Sequence, residues 1–88
     1  MSDSVLVTGS SRGIGKAIAL ELSKSGYQVV VHYLSRQEEA EAVLKAIASY
    51  GGEARVLQFD VSDREQSKRT LEKDMAQHGA YYGVVCNA

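Results

Sequence analysis

Short β-rich runs alternate regularly with longer stretches of helical spacing along this chain, and this alternation constrains the fold more than any other feature. Because each run is joined to the next by a helix-length segment, neighbouring strands should run parallel with right-handed crossovers. Continuously apolar runs such as Val29–Val31 are typical of strands that are covered on both faces. The sequence therefore predicts an α/β fold, a doubly wound parallel sheet in the order β-α-β-α-β-α-β. Its predicted strands are Val5–Thr8, Gln28–His32, Ala54–Phe59 and Gly83–Cys86.

The three intervening stretches carry apolar residues at three- and four-residue steps, which indicates helices with one inward face. The first stretch predicts an inward stripe of Ile14, Ala17, Ile18 and Leu22, with a stop at Gly26. The second predicts a stripe of Ala40, Val43, Leu44 and Ile47, with a stop at Gly51-Gly52. The third predicts a thinner face of Leu71 and Met75, with a stop at Gly79.

Two capping-box patterns precede the second and third predicted helices. Ser35 is followed three residues later by Glu38, and Ser62 by Glu65. In such a box, the serine accepts from a backbone N–H of the first turn. We therefore expect Ser35 and Ser62 to be the N-caps.

The composition excludes several classes of protein. The 88 residues are 44% hydrophobic and 24% charged with a net charge of −1, which argues against disorder and against bulk nucleic-acid binding. No apolar run approaches the roughly 18 residues of a membrane span, and Met1–Ser4 lacks the regions of a signal peptide. The one cysteine, Cys86, and the two distant histidines suggest neither a disulfide nor a metal site. A soluble protein of the reducing cytoplasm is the expectation.

A glycine-rich string follows the first predicted strand and runs into the first predicted helix. It reads Thr8-Gly9-Ser10-Ser11-Arg12-Gly13-Ile14-Gly15, a G-x-x-x-G-x-G spacing. Glycines there permit a sharp turn, the approach of a pyrophosphate to main-chain N–H groups, and close packing of helix on strand. A purely structural turn is the alternative, but the position after the first strand of an α/β pattern favours dinucleotide binding. The predicted cofactor contacts are Gly9, Ser10, Ser11, Arg12, Gly13, Ile14 and Gly15.

The end of the second strand bears on the choice of dinucleotide. Enzymes that prefer NAD place a carboxylate about 20 residues past the glycine turn, at the ribose 2′-hydroxyl. This chain has no acid there, and Ser35 and Arg36 stand in its place. Arg36 and Arg12 are suited to pair with a 2′-phosphate, with Ser35 as a further donor, which predicts NADP(H). The alternative is that both arginines are simply solvated.

Three motifs together resemble the short-chain dehydrogenase/reductase family. They are the glycine string, Asp60-Val61 after the third predicted strand, and Cys86-Asn87-Ala88 after the fourth, in the family's order. The resemblance implies a Rossmann-type sheet of strand order 3-2-1-4. Within the family the chain most resembles bacterial enzymes that reduce a 3-oxoacyl thioester on acyl carrier protein with NADPH. A sugar, polyol or small hydroxy compound as substrate, or a non-catalytic dinucleotide module, are the alternatives.

The resemblance also implies roles for the residues after the third and fourth strands. Asp60 would accept from the adenine amino group and the main chain of Val61 would support the base, although Asp60 is also placed to cap the third helix. Asn87 would touch the cofactor ribose region through its backbone and tie neighbouring strands together with its side chain. Ala88, beside it at the carboxyl end of the fourth strand, is a further predicted cofactor contact. Cys86 departs from the family, which usually has asparagine there.

The family's catalytic residues have no counterpart in this sequence. None of the five tyrosines begins a Tyr-x-x-x-Lys motif. We therefore expect residues 1–88 to be the amino-terminal part of a single dinucleotide-binding domain, inactive alone, with the catalytic half elsewhere. By resemblance, the full-length protein would be a homotetramer.

Overall fold

The fold is a parallel α/β sheet. The computed structural model describes residues 3–87. Within these residues, four strands pair in the order β3-β2-β1-β4, and every pair is parallel. The predicted fold class and strand order are confirmed, and the strand ends lie within one residue of those predicted. The elements are β1 (Ser4–Val7), α1 (Gly13–Lys24), β2 (Gln28–Tyr33), α2 (Gln37–Ala48), β3 (Ala54–Gln58), α3 (Arg64–His78) and β4 (Gly83–Val85).

The core lies around the two central strands, β1 and β2. Val29–Val31 are fully buried, and Ala40, Val43 and Ile47 of α2, which are also fully buried, form one cluster with Val29 and Val31. Leu44 is half-buried against this cluster. The predicted stripe of the second helix is therefore confirmed.

Helix α1 packs through a different face from the one predicted. Its buried residues are Gly15, Ala19 and Ser23, whereas Ile14 is 75% exposed. Ala17 is exposed as well, and only Ile18 and Leu22 of the predicted stripe are half-buried. Small residues at four-residue spacing let the helix backbone approach the sheet closely, so the larger side chains lie at the flanks of the contact. The prediction was wrong because it ranked residues by hydrophobicity and ignored their size.

Both predicted serine caps were wrong by one residue. The N-cap of α2 is Arg36, without a side-chain cap bond, and that of α3 is Asp63, whose carboxylate accepts from the Gln66 N–H at 3.0 Å. The Ser62 hydroxyl donates to Asp60 Oδ1 at 2.6 Å, and Asp63 supplies the cap. The predicted stops are confirmed, since Gly26 and Gly79 follow their helices with φ of 99° and 89°.

A buried polar cluster holds α3 to the sheet. Asp74, 5% exposed, accepts from Arg55 Nε at 2.8 Å and from the Tyr81 hydroxyl at 2.7 Å. Burial opposes the charge on Asp74, but the bonds from Arg55 and Tyr81 outweigh it and hold the pKa of this carboxyl below its usual value. Burial and the Asp74 bond raise the pKa of Tyr81. The helix therefore docks through an ion pair where the sequence predicted Leu71 and Met75, which are only half-buried.

No helix within residues 3–87 is both long enough and apolar enough to cross a membrane.

Candidate dinucleotide-binding site

A cavity opens at the carboxyl ends of β1, β2 and β3, where ligands bind in sheets of this type. The glycine turn after β1 forms one wall, and the segments after β2 and β3 form the others. His32, Tyr33 and Leu34 also contribute to the wall. The structure thus brings together most of the residues that were predicted from three separate parts of the sequence. Those that line the cavity are Gly9, Ser11, Arg12, Ser35, Arg36, Asp60 and Val61.

The glycine turn depends on backbone conformations that side chains rarely adopt. Gly9 and Gly13 both have φ of 64°, in the left-handed region. Gly15 has no such φ, but it is packed too closely for a side chain: an added Cβ would lie 2.6 Å from Asn87 Nδ2 and still nearer the Gly9 carbonyl oxygen. The local geometry of the turn therefore requires glycine at each of these three positions.

Asn87 braces the turn from the end of β4. Its side-chain amide donates to the Gly9 carbonyl at 3.2 Å, and its backbone N–H donates to the Thr8 hydroxyl at 2.9 Å. The Thr8 N–H in turn donates to the Val85 carbonyl at 3.0 Å. These bonds join the ends of β1 and β4 directly below the glycine turn. Ala88, predicted beside Asn87, lies outside the described residues.

His32, at the end of β2, holds the other side of the turn. Its Nδ1 accepts from the Gly9 N–H at 2.9 Å, so the ring proton is on Nε2, which donates to the Phe59 carbonyl at 2.7 Å. Its backbone pairs with Ser10 twice: the His32 N–H donates to Ser10 Oγ at 3.0 Å, and the Ser10 N–H donates to the His32 carbonyl at 3.1 Å. Burial lowers the pKa of His32, although the Phe59 bond partly offsets it.

The bonds around His32 alter what the sequence predicted for Ser10. The Ser10 hydroxyl is fully buried and accepts from β2, so its side chain is used inside the protein. His32 itself received no role from the sequence beyond the exclusion of a metal site. The available signal was a polar residue in an otherwise apolar run of β2, at the end that faces the glycine turn.

The start of α1 is open to an anion. Its N-cap, Arg12, makes no side-chain cap bond, and its first turn contains no acidic residue. By contrast, α2 begins with Glu38 and Glu39, and Asp63 caps α3. The first N–H groups of a helix have no partner inside it and carry a partial positive charge. The chemistry of this turn therefore fits a phosphate group.

Two exposed arginines extend this positive region. Arg12 lies in the turn, and Arg36 lies across the cavity after β2. Arg36 Nη1 is paired with Glu39 Oε1 at 3.2 Å, and its side chain is 57% exposed. An exposed pair of this kind contributes about 0–1 kcal/mol, so Glu39 competes only weakly with a doubly charged phosphate.

Asp60 lies on the β3 side of the cavity. Its Oδ1 accepts from both the hydroxyl and the backbone N–H of Ser62, and these bonds lower the pKa of Asp60. Asp60 does not cap α3, because Asp63 does. Next to it, Val61 is 46% exposed and offers an apolar surface at the cavity rim.

Comparison with known proteins shows the family to which this chain belongs. The sequence profile described as short chain dehydrogenase matches residues 3–88. The chain belongs to the short-chain dehydrogenase family. Among curated members, it is 60% identical over its whole length to the 3-oxoacyl-[acyl-carrier-protein] reductase FabG of Aggregatibacter actinomycetemcomitans. It is 41% identical, again over its whole length, to the protein of that name in Staphylococcus aureus strain Mu50.

Similarity within the short-chain dehydrogenases extends to an enzyme of another name. Elsinochrome reductase 1 of Elsinoe fawcettii is 45% identical over 83 residues, which are 94% of this chain and 31% of that protein. The chain spans about a third of the length of the curated relatives it matches, 36% for both FabG proteins.

Proposed function

We propose that this chain is the amino-terminal, cofactor-binding part of a reductase that uses NADPH to convert a 3-oxoacyl thioester on acyl carrier protein to the 3-hydroxyacyl form. The observation that carries the cofactor assignment is one cavity lined by two arginines, of which Arg12 is the N-cap of α1, a helix with no acidic residue in its first turn. The substrate assignment rests on the 60% identity to a relative named as such a reductase.

Each wall of the cavity would contact a different part of the dinucleotide. The N–H groups at the start of α1 bind the pyrophosphate, and Gly9 and Gly13 let the backbone approach it. Asp60 accepts from the adenine amino group, and Val61 packs beside the base. Asn87 holds the turn at the nicotinamide end of the site. When bound, NADPH supplies the hydride for carbonyl reduction.

The preference for NADPH over NADH is assigned to Arg12, Arg36 and Ser35. Guanidinium groups form charge-assisted and often bidentate bonds with phosphate. Along the chain after β2, the first acids are Glu38 and Glu39, inside α2, and Glu39 is already paired with Arg36; Asp60 lies on the β3 side of the cavity. A ribose 2′-phosphate would therefore meet positive charge here.

The residues that hold the substrate carbonyl and protonate it are assigned to a part of the protein outside residues 1–88. We further propose a cytoplasmic homotetramer, as the resemblance to the family implies. A second candidate is a reductase of a different carbonyl compound, favoured by the 45% identity to elsinochrome reductase 1.

The test is a turnover assay of the protein at the length its gene encodes. NADPH oxidation is followed at 340 nm with acetoacetyl thioesters of acyl carrier protein and of a short pantetheine analogue, and NADH is run in parallel. We expect turnover with the thioesters and a preference for NADPH. Oxidation of NADPH only with sugars, or reduction of NADP⁺ only with polyols or small hydroxy compounds, would replace the proposed substrate. Dinucleotide binding without any turnover would indicate a non-catalytic module.

A further inference from the structure

The bonds of His32 make it unusual among the residues around the cavity. The residue is 3% exposed, and its ring joins two separate elements, the glycine turn through Gly9 and the end of β3 through Phe59. The Phe59 ring packs against it with a centroid distance of 4.3 Å. Neither bond is needed to form β2, whose strand pairing uses backbone groups.

Only one protonation state of the ring satisfies both contacts. The neutral ring with its proton on Nε2 accepts at Nδ1 and donates at Nε2. A protonated ring donates at both nitrogens, so Nδ1–H would face the Gly9 N–H and the bond would be lost. The Gly9 amide lies in the glycine turn, and the residues that follow it form the start of α1, where we propose that the anion binds.

We propose that His32 is a positioning residue of the dinucleotide site, which holds the glycine turn in its binding form while neutral and releases it when protonated. This inference rests on the proposed dinucleotide function. It assigns no contact between His32 and the cofactor, since the ring acts through Gly9. Dinucleotide affinity should therefore weaken as the pH falls through the pKa of His32.

Other charged and titratable groups share the same cavity and must be separated from His32. They are Arg12 on the turn, Tyr33 and Arg36 after β2, and Asp60 after β3. Asp60, whose pKa is lowered by its bonds from Ser62, stays ionised between pH 5 and 8. The 2′-phosphate of the ligand titrates near pH 6, so NAD⁺ serves as a second ligand that lacks it.

Two amide variants separate the two bonds. In His32→Asn, the side-chain oxygen takes the place of Nδ1 and keeps an acceptor for Gly9, but it cannot titrate. In His32→Gln, the side-chain amide nitrogen reaches the place of Nε2 and keeps a donor for Phe59, but the acceptor for Gly9 is lost. His78→Asn is the matched control, because His78 is exposed at the end of α3 and does not line the cavity.

The experiment measures NADP⁺ and NAD⁺ dissociation constants by calorimetry from pH 5 to 8 in the protein at its encoded length. At pH 7.5, we expect His32→Asn to bind within about threefold of the wild type and His32→Gln to bind about three- to tenfold more weakly, the effect of one hydrogen bond. Wild type and His78→Asn should lose affinity for both ligands towards pH 5, whereas His32→Asn should lose markedly less. Equal pH profiles for wild type and His32→Asn, or equal binding by the Asn and Gln variants, would overturn the proposal.

A second readout needs no ligand. The hydrogen exchange of the Gly9 amide, followed by NMR, should be slow in the wild type and in His32→Asn and fast in His32→Gln. Fast exchange in the wild type would refute the positioning role even if dinucleotide binds. Slow exchange with no binding of either dinucleotide would instead refute the proposed function, and with it any role of His32 in that function.

Discussion

Replacing Gly15 with alanine tests the close packing beneath the glycine turn. The new Cβ would lie 2.6 Å from Asn87 Nδ2 and nearer still to the Gly9 carbonyl oxygen, whereas ordinary contact begins at 3.4 Å. The Asn87 amide would have to move by about 0.8 Å, and the backbone of the turn by more, to relieve the overlap. The 3.2 Å bond from Asn87 to Gly9 would not survive such a displacement.

The expected cost follows from these contacts. Overpacking costs about 1–3 kcal/mol, and loss of the hydrogen bond costs about 1 kcal/mol. Alanine regains about 1 kcal/mol through its higher helix propensity. We therefore expect Gly15→Ala to lower the free energy of unfolding by about 2 kcal/mol and to weaken NADP⁺ binding as well.

Urea unfolding followed by circular dichroism measures the first effect, and calorimetric titration measures the second. Gly83→Ala is the control, because a Cβ at Gly83 would meet nothing within 4 Å; its stability should stay within about 0.5 kcal/mol of the wild type. Adding Asn87→Ala to Gly15→Ala should restore only part of the loss, since the Gly9 carbonyl still blocks the Cβ. A Gly15→Ala protein as stable as Gly83→Ala would refute the packing argument.

Further predictions concern charge, capping and pH. Arg36→Ala should weaken NADPH binding about 10- to 100-fold and NADH binding by less than about threefold, whereas Arg69→Ala, an exposed arginine outside the cavity, should change neither; equal losses for both dinucleotides would argue against a 2′-phosphate contact. Asp74→Asn should cost about 2–3 kcal/mol of unfolding free energy at pH 7, because it leaves a partly buried guanidinium unpaired. Folding lowers the pKa of Asp74. The difference in unfolding free energy between wild type and Asp74→Asn should therefore be complete above about pH 4 and should shrink as the pH falls through the folded-state pKa. Asp63→Ala should cost about 1 kcal/mol by urea unfolding, and a larger effect of Ser62→Ala would contradict the observed cap. Because burial lowers the pKa of His32, the neutral ring stabilises the fold fully above about pH 6.5, and stability should decline as the pH falls through its folded-state value; His32→Asn should remove that part of the pH dependence.

Features set by local spacing could be predicted from the sequence. The alternation of strands and helices, the glycine stops and the apolar stripe of α2 each depend on residues a few positions apart. The predicted cavity residues after β1, β2 and β3 lie together because parallel strands bring their carboxyl ends to one edge of the sheet. The topology of the sheet therefore brings residues from three separate sequence motifs into one cavity.

Features set by size or by distant pairing could not be predicted in this way. Ile14 is exposed because the small residues of α1 face the sheet, and hydrophobic periodicity does not record volume. The bond between Gly9 and His32 spans 23 residues, and that between Arg55 and Asp74 spans 19. Polar partners at such separations leave no periodic trace, so the sequence indicated neither the ring that holds the turn nor the ion pair beneath α3.

Because of the bond between Asn87 and Gly9, the glycine turn gains its full support only late in synthesis. The two residues are 78 positions apart, so the turn is translated long before its partner exists. On the ribosome, the glycine turn and α1 emerge first and remain without this support until β4 has left the exit tunnel and paired with β1. A dinucleotide bound as proposed would therefore act on the braced turn only after β4 has paired with β1.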